Sequence, residues 1–244
     1  MKSLKLTIAV GAALAAGAAQ AAGPLFLFDA EQPYKWDTSN GPIPVYTDGG
    51  QLDVNGVPTF AFDFDGVTAF VSVERADEIT QFGFEQWSSV STSTFEAQVA
   101  GTIESVTGIA DVTGANATQI YDQENGYGFF VLYDTDSTIL ADYFGVGPGV
   151  LGIAFPEIAD EATGEILEAT AVINGNAIWA GDPDGDQLAG VFTHEFGHAI
   201  NLSHSQTNGD LFYAPSFFGR SAGPRECGPF PNPTTFEEIE TMFP

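Results

Sequence analysis

The chain has 244 residues, 44% of them hydrophobic, and carries 33 acidic residues against six lysines and arginines, a formal net charge of −27. The length suits one domain plus a processing segment, and so negative a balance disfavours nucleic acid and anionic membrane surfaces as partners. It suits a soluble exported protein that meets salt or calcium. Solvation of the surface explains it more simply than selection of basic substrates, which salt would screen.

Residues 1–21 read as a secretory signal peptide. Lys2 and Lys5 form a basic start, a short stretch rich in Ala and Gly follows, and Ala19-Gln20-Ala21 is an A-x-A cleavage site. The apolar stretch is short of the roughly 20 residues that a membrane span needs. No later segment is suited to crossing a bilayer. Cleavage leaves a chain beginning near Ala22 with four basic and 33 acidic residues, a net −29. The expected location is outside the cell, at its surface or in the periplasm. Residues 22–35 form an N-terminal segment and residues 36–244 one domain, without internal repeat or linker.

From Trp36 to Ile158, short apolar runs alternate with Gly, Asp and Asn turns. Strands are predicted at Pro44–Thr47, Phe129–Tyr133, Gly149–Phe155 and Ala169–Ile173. Asp63-Phe64-Asp65 and Asp134-Thr135-Asp136 read as turn residues. Ala76, Ile79, Gly83 and Trp87 recur at helical spacing, and Phe95, Ala97 and Val99 then alternate as in a strand. Asp182, Asp184 and Asp186 surround Gly185 and could supply oxygen ligands to calcium. Capping of the helix that follows is the favoured account of them. That helix is predicted over Leu188–Asn201, with Leu188, Val191 and Phe192 apolar in its first turns. Residues 208–233, rich in Gly, Pro and Phe, read as an irregular loop. Cys227 is the one cysteine, and an odd cysteine in an exported chain suggests a partner elsewhere.

All three histidines lie in the run H-E-x-x-H-x-x-N-x-x-H, as His194, His198 and His204, with Glu195 beside the first. Residues four apart share a helix face, so His194 and His198 can point at one metal ion. Glu195 is roughly 100° round the helix, beside the metal-bound water and off the metal. A continued helix would carry His204 about 9 Å along the axis and turn it about 240° from the site. The helix must therefore stop and the chain turn sharply. Asn201 stands where that turn is needed, and after Gly it is the residue that most readily takes the left-handed conformation ending a helix. Three neutral imidazoles leave one position of a tetrahedral zinc open, whereas a structural zinc has four protein ligands. Glu195 is then placed as the general base for a zinc-activated water.

The run resembles the zinc signature of the metzincin metallopeptidases, H-E-x-x-H-x-x-G-x-x-H, with Asn201 in place of Gly. It is most similar to the matrixins, whose motif also often reads HEFGHA and ends in His-Ser. The resemblance implies an α+β fold with a twisted, mixed, mostly parallel sheet and an active-site helix. Thr241-Met242-Phe243-Pro244 resembles the matrixin methionine turn, which would place Met242 as an apolar floor under the zinc. The chain stops there, so the resemblance implies a C-terminal subdomain that is incomplete, and a disulfide partner for Cys227 in the missing region. Residues 149–156 look like the edge strand that lines the matrixin cleft. The histidine that binds a second, structural zinc in that pattern is Ile153, so one catalytic zinc is expected. Cys227 superficially resembles the propeptide cysteine that keeps matrixins latent, but it follows the zinc run, and no such switch is expected. The implied function is a secreted zinc endopeptidase acting on protein or peptide substrates. The alternatives are an exported adhesion or matrix-binding protein with a non-catalytic zinc site, and a zinc enzyme acting on something other than peptides.

Overall fold

The computed structural model describes residues 3–5, 24–29, 32–50, 52, 60–64, 67–71, 76–89, 93–147, 149–175 and 186–202. In chain order the strands are β1 (Ser3–Lys5), β2 (Leu27–Asp29), β3 (Gln32–Pro33), β4 (Ile43–Thr47), β5 (Phe60–Phe64), β6 (Val67–Val71), β7 (Ala97–Thr102), β8 (Gly128–Tyr133), β9 (Gly152–Asp160) and β10 (Ile166–Ile173). The helices are α1 (Asp77–Ser88), α2 (Ile103–Thr107), α3 (Thr118–Tyr121) and α4 (Asp186–Ala199), with a π-helical turn at Ile139–Tyr143.

Six strands form the main sheet in the order β1-β9-β10-β8-β4-β7. The pairs β10–β8, β8–β4 and β4–β7 are parallel, while β9 runs antiparallel to both β10 and β1. The fold is therefore α+β with a mixed, mostly parallel sheet. β8 is buried along its whole length, as expected of a central strand covered on both faces. Its alternation splits the core. Phe129, Val131 and Tyr133 join the side covered by α1 and α4, and Phe130 and Leu132 join the opposite side with Ile120, Ile139 and Leu140.

α1 and α4 pack on the same face of the sheet. Phe84 of α1 stacks on Phe196 of α4, with ring centroids 3.9 Å apart. Gly83 allows the approach, since a Cβ there would lie 2.8 Å from the Phe196 ring. On the sheet below, Ala169 and Ala171 of β10 leave room for the large side chains of α4.

Several sequence expectations need adjusting. β9 begins at Gly152, not Gly149, because Val150 is held in a turn by its N–H bond to Gly147 (3.1 Å). Asp63 and Phe64 lie within the β5–β6 hairpin, where Asp63 pairs with Thr68, and not in its turn. Asp65 is outside the described residues. The helix over 188–201 runs from Asp186 to Ala199. β1, inside the expected signal segment, pairs only with Ile158–Asp160 of β9. Among the described residues, no strand pairs with the rest of that strand's outer edge over residues 152–156. None of the described helices is long and apolar enough to cross a membrane.

Asp48 and Glu168 are two of the carboxyl groups buried within this frame. Asp48, after β4, accepts N–H bonds from Gly50 (3.2 Å), Val112 (3.2 Å) and Tyr133 (3.3 Å). Burial, with a smaller push from Asp111, outweighs these donors and raises its pKa to about 6. Glu168 of β10 accepts from the Asn125 backbone (2.8 Å) and side chain (2.6 Å), and burial lifts it to about 7. Both folded values lie above the unfolded ones. Their stabilisation is complete below about pH 4 and is lost as pH rises through 6 to 7. The metal-free protein is accordingly expected to resist urea better at pH 5 than at pH 8. Glu168→Gln should flatten that slope, as measured by urea melts at the two pH values.

Candidate metal centre

Two indoles hold α4 in place. The Trp87 Nε1–H of α1 donates to the Thr193 carbonyl (2.8 Å), and the Trp36 Nε1–H donates to the Ala199 carbonyl at the helix end (3.3 Å). The apolar stripe Val191, Phe192, Phe196, Ala199 and Ile200 faces the core. His194 and His198 are thereby presented from one fixed helix face.

Their Nε2 atoms converge to 3.2 Å, with the two rings nearly perpendicular at 89°. The Nδ1–H of His198 donates to the Leu202 carbonyl (2.7 Å). A carbonyl only accepts, so this bond places the proton on Nδ1 and leaves the Nε2 lone pair turned towards His194. Two ligand nitrogens at 2.0–2.1 Å on a tetrahedral zinc lie roughly 3.3 Å apart. The observed separation fits two imidazoles sharing one such ion.

The chain leaves the helix as the motif requires. Asn201 has φ +80°, and its N–H bonds to the His198 carbonyl (2.9 Å) while the Leu202 N–H bonds to that of Gly197 (2.9 Å). These are the bonds of a helix closed by a left-handed residue.

Glu195 is buried and lies against the first residue of β9. A Cβ built on Gly152 would come within 2.6 Å of its Cγ and 2.9 Å of its Oε1. Burial raises the Glu195 pKa to about 8. A cation held by the neighbouring imidazoles would oppose that shift by favouring the carboxylate. Gly152→Val would force the Glu195 side chain aside. If Glu195 serves as the general base that the sequence predicts, the expected effect is a fall in kcat of up to about 10²-fold with folding retained, to be read from steady-state kinetics beside far-UV circular dichroism.

The head of β9 is itself fixed by residues that the sequence did not mark out. Asn174, just past β10, donates through Nδ2 to the Val150 carbonyl (3.0 Å) and through its backbone N–H to that of Leu151 (2.9 Å). Its Oδ1 accepts from Ser137 Oγ (3.0 Å). Asp134, expected as a turn residue, caps the π-helical turn by accepting from the Ile139 (3.0 Å) and Leu140 (2.9 Å) N–H groups. The chain gave no local signal for Asn174, whose partners lie on a loop more than 20 residues earlier.

Other predicted site residues lie outside the described residues: His204, Met242, Cys227, Asp182 and Asp184. So does the loop over 208–233. Asp186 heads α4, but its side chain is not among those described. Among the described residues, no group of three His, Cys, Asp or Glu side chains is arranged to hold a metal ion. The structure thus brings His194 and His198 together, sets the Glu195 side chain against Gly152, and places Ile153 in β9. In comparisons with known proteins, no family model, no curated protein and no solved structure matches this chain.

Proposed function

We propose that this chain is an exported zinc-dependent endopeptidase of the metzincin type, similar to the matrixins. The observation that carries the reading is the convergence of the His194 and His198 Nε2 atoms at 3.2 Å beside a buried Glu195. His204, six residues beyond His198, is the third ligand in this reading, and the left-handed turn at Asn201 supports it. The ion would supply Lewis acidity towards water and the scissile carbonyl. Glu195 takes a proton from the attacking water on its carboxylate and returns it to the leaving amine. The outer edge of β9 over residues 152–156 aligns an extended peptide by strand addition, with the scissile bond beside Glu195.

Peptide cleavage of this kind requires a metal-ligating position next to a strand-binding cleft. A short peptide ending in a hydroxamate is therefore expected to inhibit cleavage far more strongly than the same peptide ending in an amide. Equal potency of the two would contradict the reading.

A further inference from the structure

We propose that residues 24–29 and 32–36 form a strap that positions the metal centre, and that the side chain of Asn201 is what fastens it. The inference rests on the ligand reading above and assigns Asn201 a role beyond turning the chain. A left-handed turn needs only the backbone of Gly or Asn. Asn201 is fully buried and uses its amide as well. Its Oδ1 accepts the Phe26 N–H (2.9 Å), and its Nδ2 donates to the carbonyls of Phe26 (3.0 Å) and Tyr34 (2.8 Å). The Leu25 N–H adds a bond to the Asn201 carbonyl (2.8 Å), and Pro24 bridges Leu202. The strap also grips the Ala199 carbonyl through Trp36. Every one of these contacts falls on the turn that ends α4.

The connection to the metal runs through Leu202. Its carbonyl receives the His198 Nδ1–H, so displacement of Leu202 rotates the imidazole or frees its tautomer. Partners of this kind orient metal-binding histidines and raise their basicity. At its other end the strap is anchored to the β9–β10 turn. The Lys35 N–H bonds to the Gly164 carbonyl (3.0 Å), the Ile166 N–H bonds to that of Lys35 (2.8 Å), and the Phe28 ring lies against Gly164, where a Cβ would come within 2.8 Å of it. A strap held at both ends can transmit order to the residue between them.

Two measurements on the full chain test this. If the strap supports the ligand, metal binding must in turn stabilise the strap by the same factor. Hydrogen exchange at the Leu25 and Phe26 amides is expected to slow about 10–100-fold when zinc is added to the wild type. Asn201→Gly keeps the turn and removes the three amide bonds. Competition with a chromophoric chelator should show its zinc dissociation constant raised about 10–100-fold. Wild-type zinc affinity in Asn201→Gly, or strap exchange indifferent to zinc, would overturn the strap alone. A wild type that binds no zinc would overturn the ligand reading and the strap with it.

Discussion

Glu195→Ala is expected to bind zinc as the wild type does and to lose about 10²–10⁴-fold in kcat, the range for a positioned general base. The carboxylate is one residue from His194, a ligand in the proposed reading, and it meets Gly152 at the head of β9. Its removal therefore takes away proton transfer without taking away a ligand. It also leaves the apolar contacts of α4 intact, because Phe192 and Phe196 carry them. The check is a paired measurement of zinc stoichiometry and single-turnover cleavage. Loss of zinc in Glu195→Ala would make the carboxylate a ligand, and retained turnover would remove it from the mechanism.

His198→Ala is expected to do the converse. The side chain supplies one of two converging nitrogens, and it is also the partner of the Leu202 carbonyl. Alanine there removes a ligand and leaves a buried acceptor without its donor, at a cost of about 1–3 kcal/mol. Zinc affinity should fall by more than the roughly 10–100-fold that follows loss of a supporting partner, and cleavage should fall with it. Cobalt substitution gives an independent reading. The visible spectrum of a tetrahedral cobalt site should be present in Glu195→Ala and absent in His198→Ala. An unchanged spectrum in the histidine variant would place the metal elsewhere.

The sequence exposed those parts of the molecule whose physics is local. Two histidines four residues apart must share a helix face, and a third that cannot stay on that helix demands a turn, so His194, His198 and the bend at Asn201 were all legible. The β-branched and aromatic runs at β8 and β10 were legible for the same reason, since burial on both faces selects such residues along most of a strand, while β4 showed as alternation. What escaped was settled at long range. Asn201 bonds to Phe26 and Tyr34 across 175 and 167 residues, and nothing near either end announces the pairing. Asn174 holds the Val150 and Leu151 carbonyls from just past β10, and with the Val150 turn onto Gly147 it delays to Gly152 a strand expected from Gly149. The turn expected at Asp134 is present, with the Ser137 N–H on the Asp134 carbonyl, and only the local cap on Ile139 and Leu140 was unforeseen. The β5–β6 hairpin and the π-helical turn at Ile139–Tyr143 were likewise missed, because apolar runs that short do not discriminate between strand, turn and helix.

The most direct test of a zinc peptidase is to offer the full chain a mixture of denatured proteins and sequence the product termini, with and without a zinc chelator and beside Glu195→Ala. The account predicts new termini that vanish on chelation, return with added zinc and are absent from the variant. Termini that persist in the chelator, or that Glu195→Ala produces equally, would contradict it.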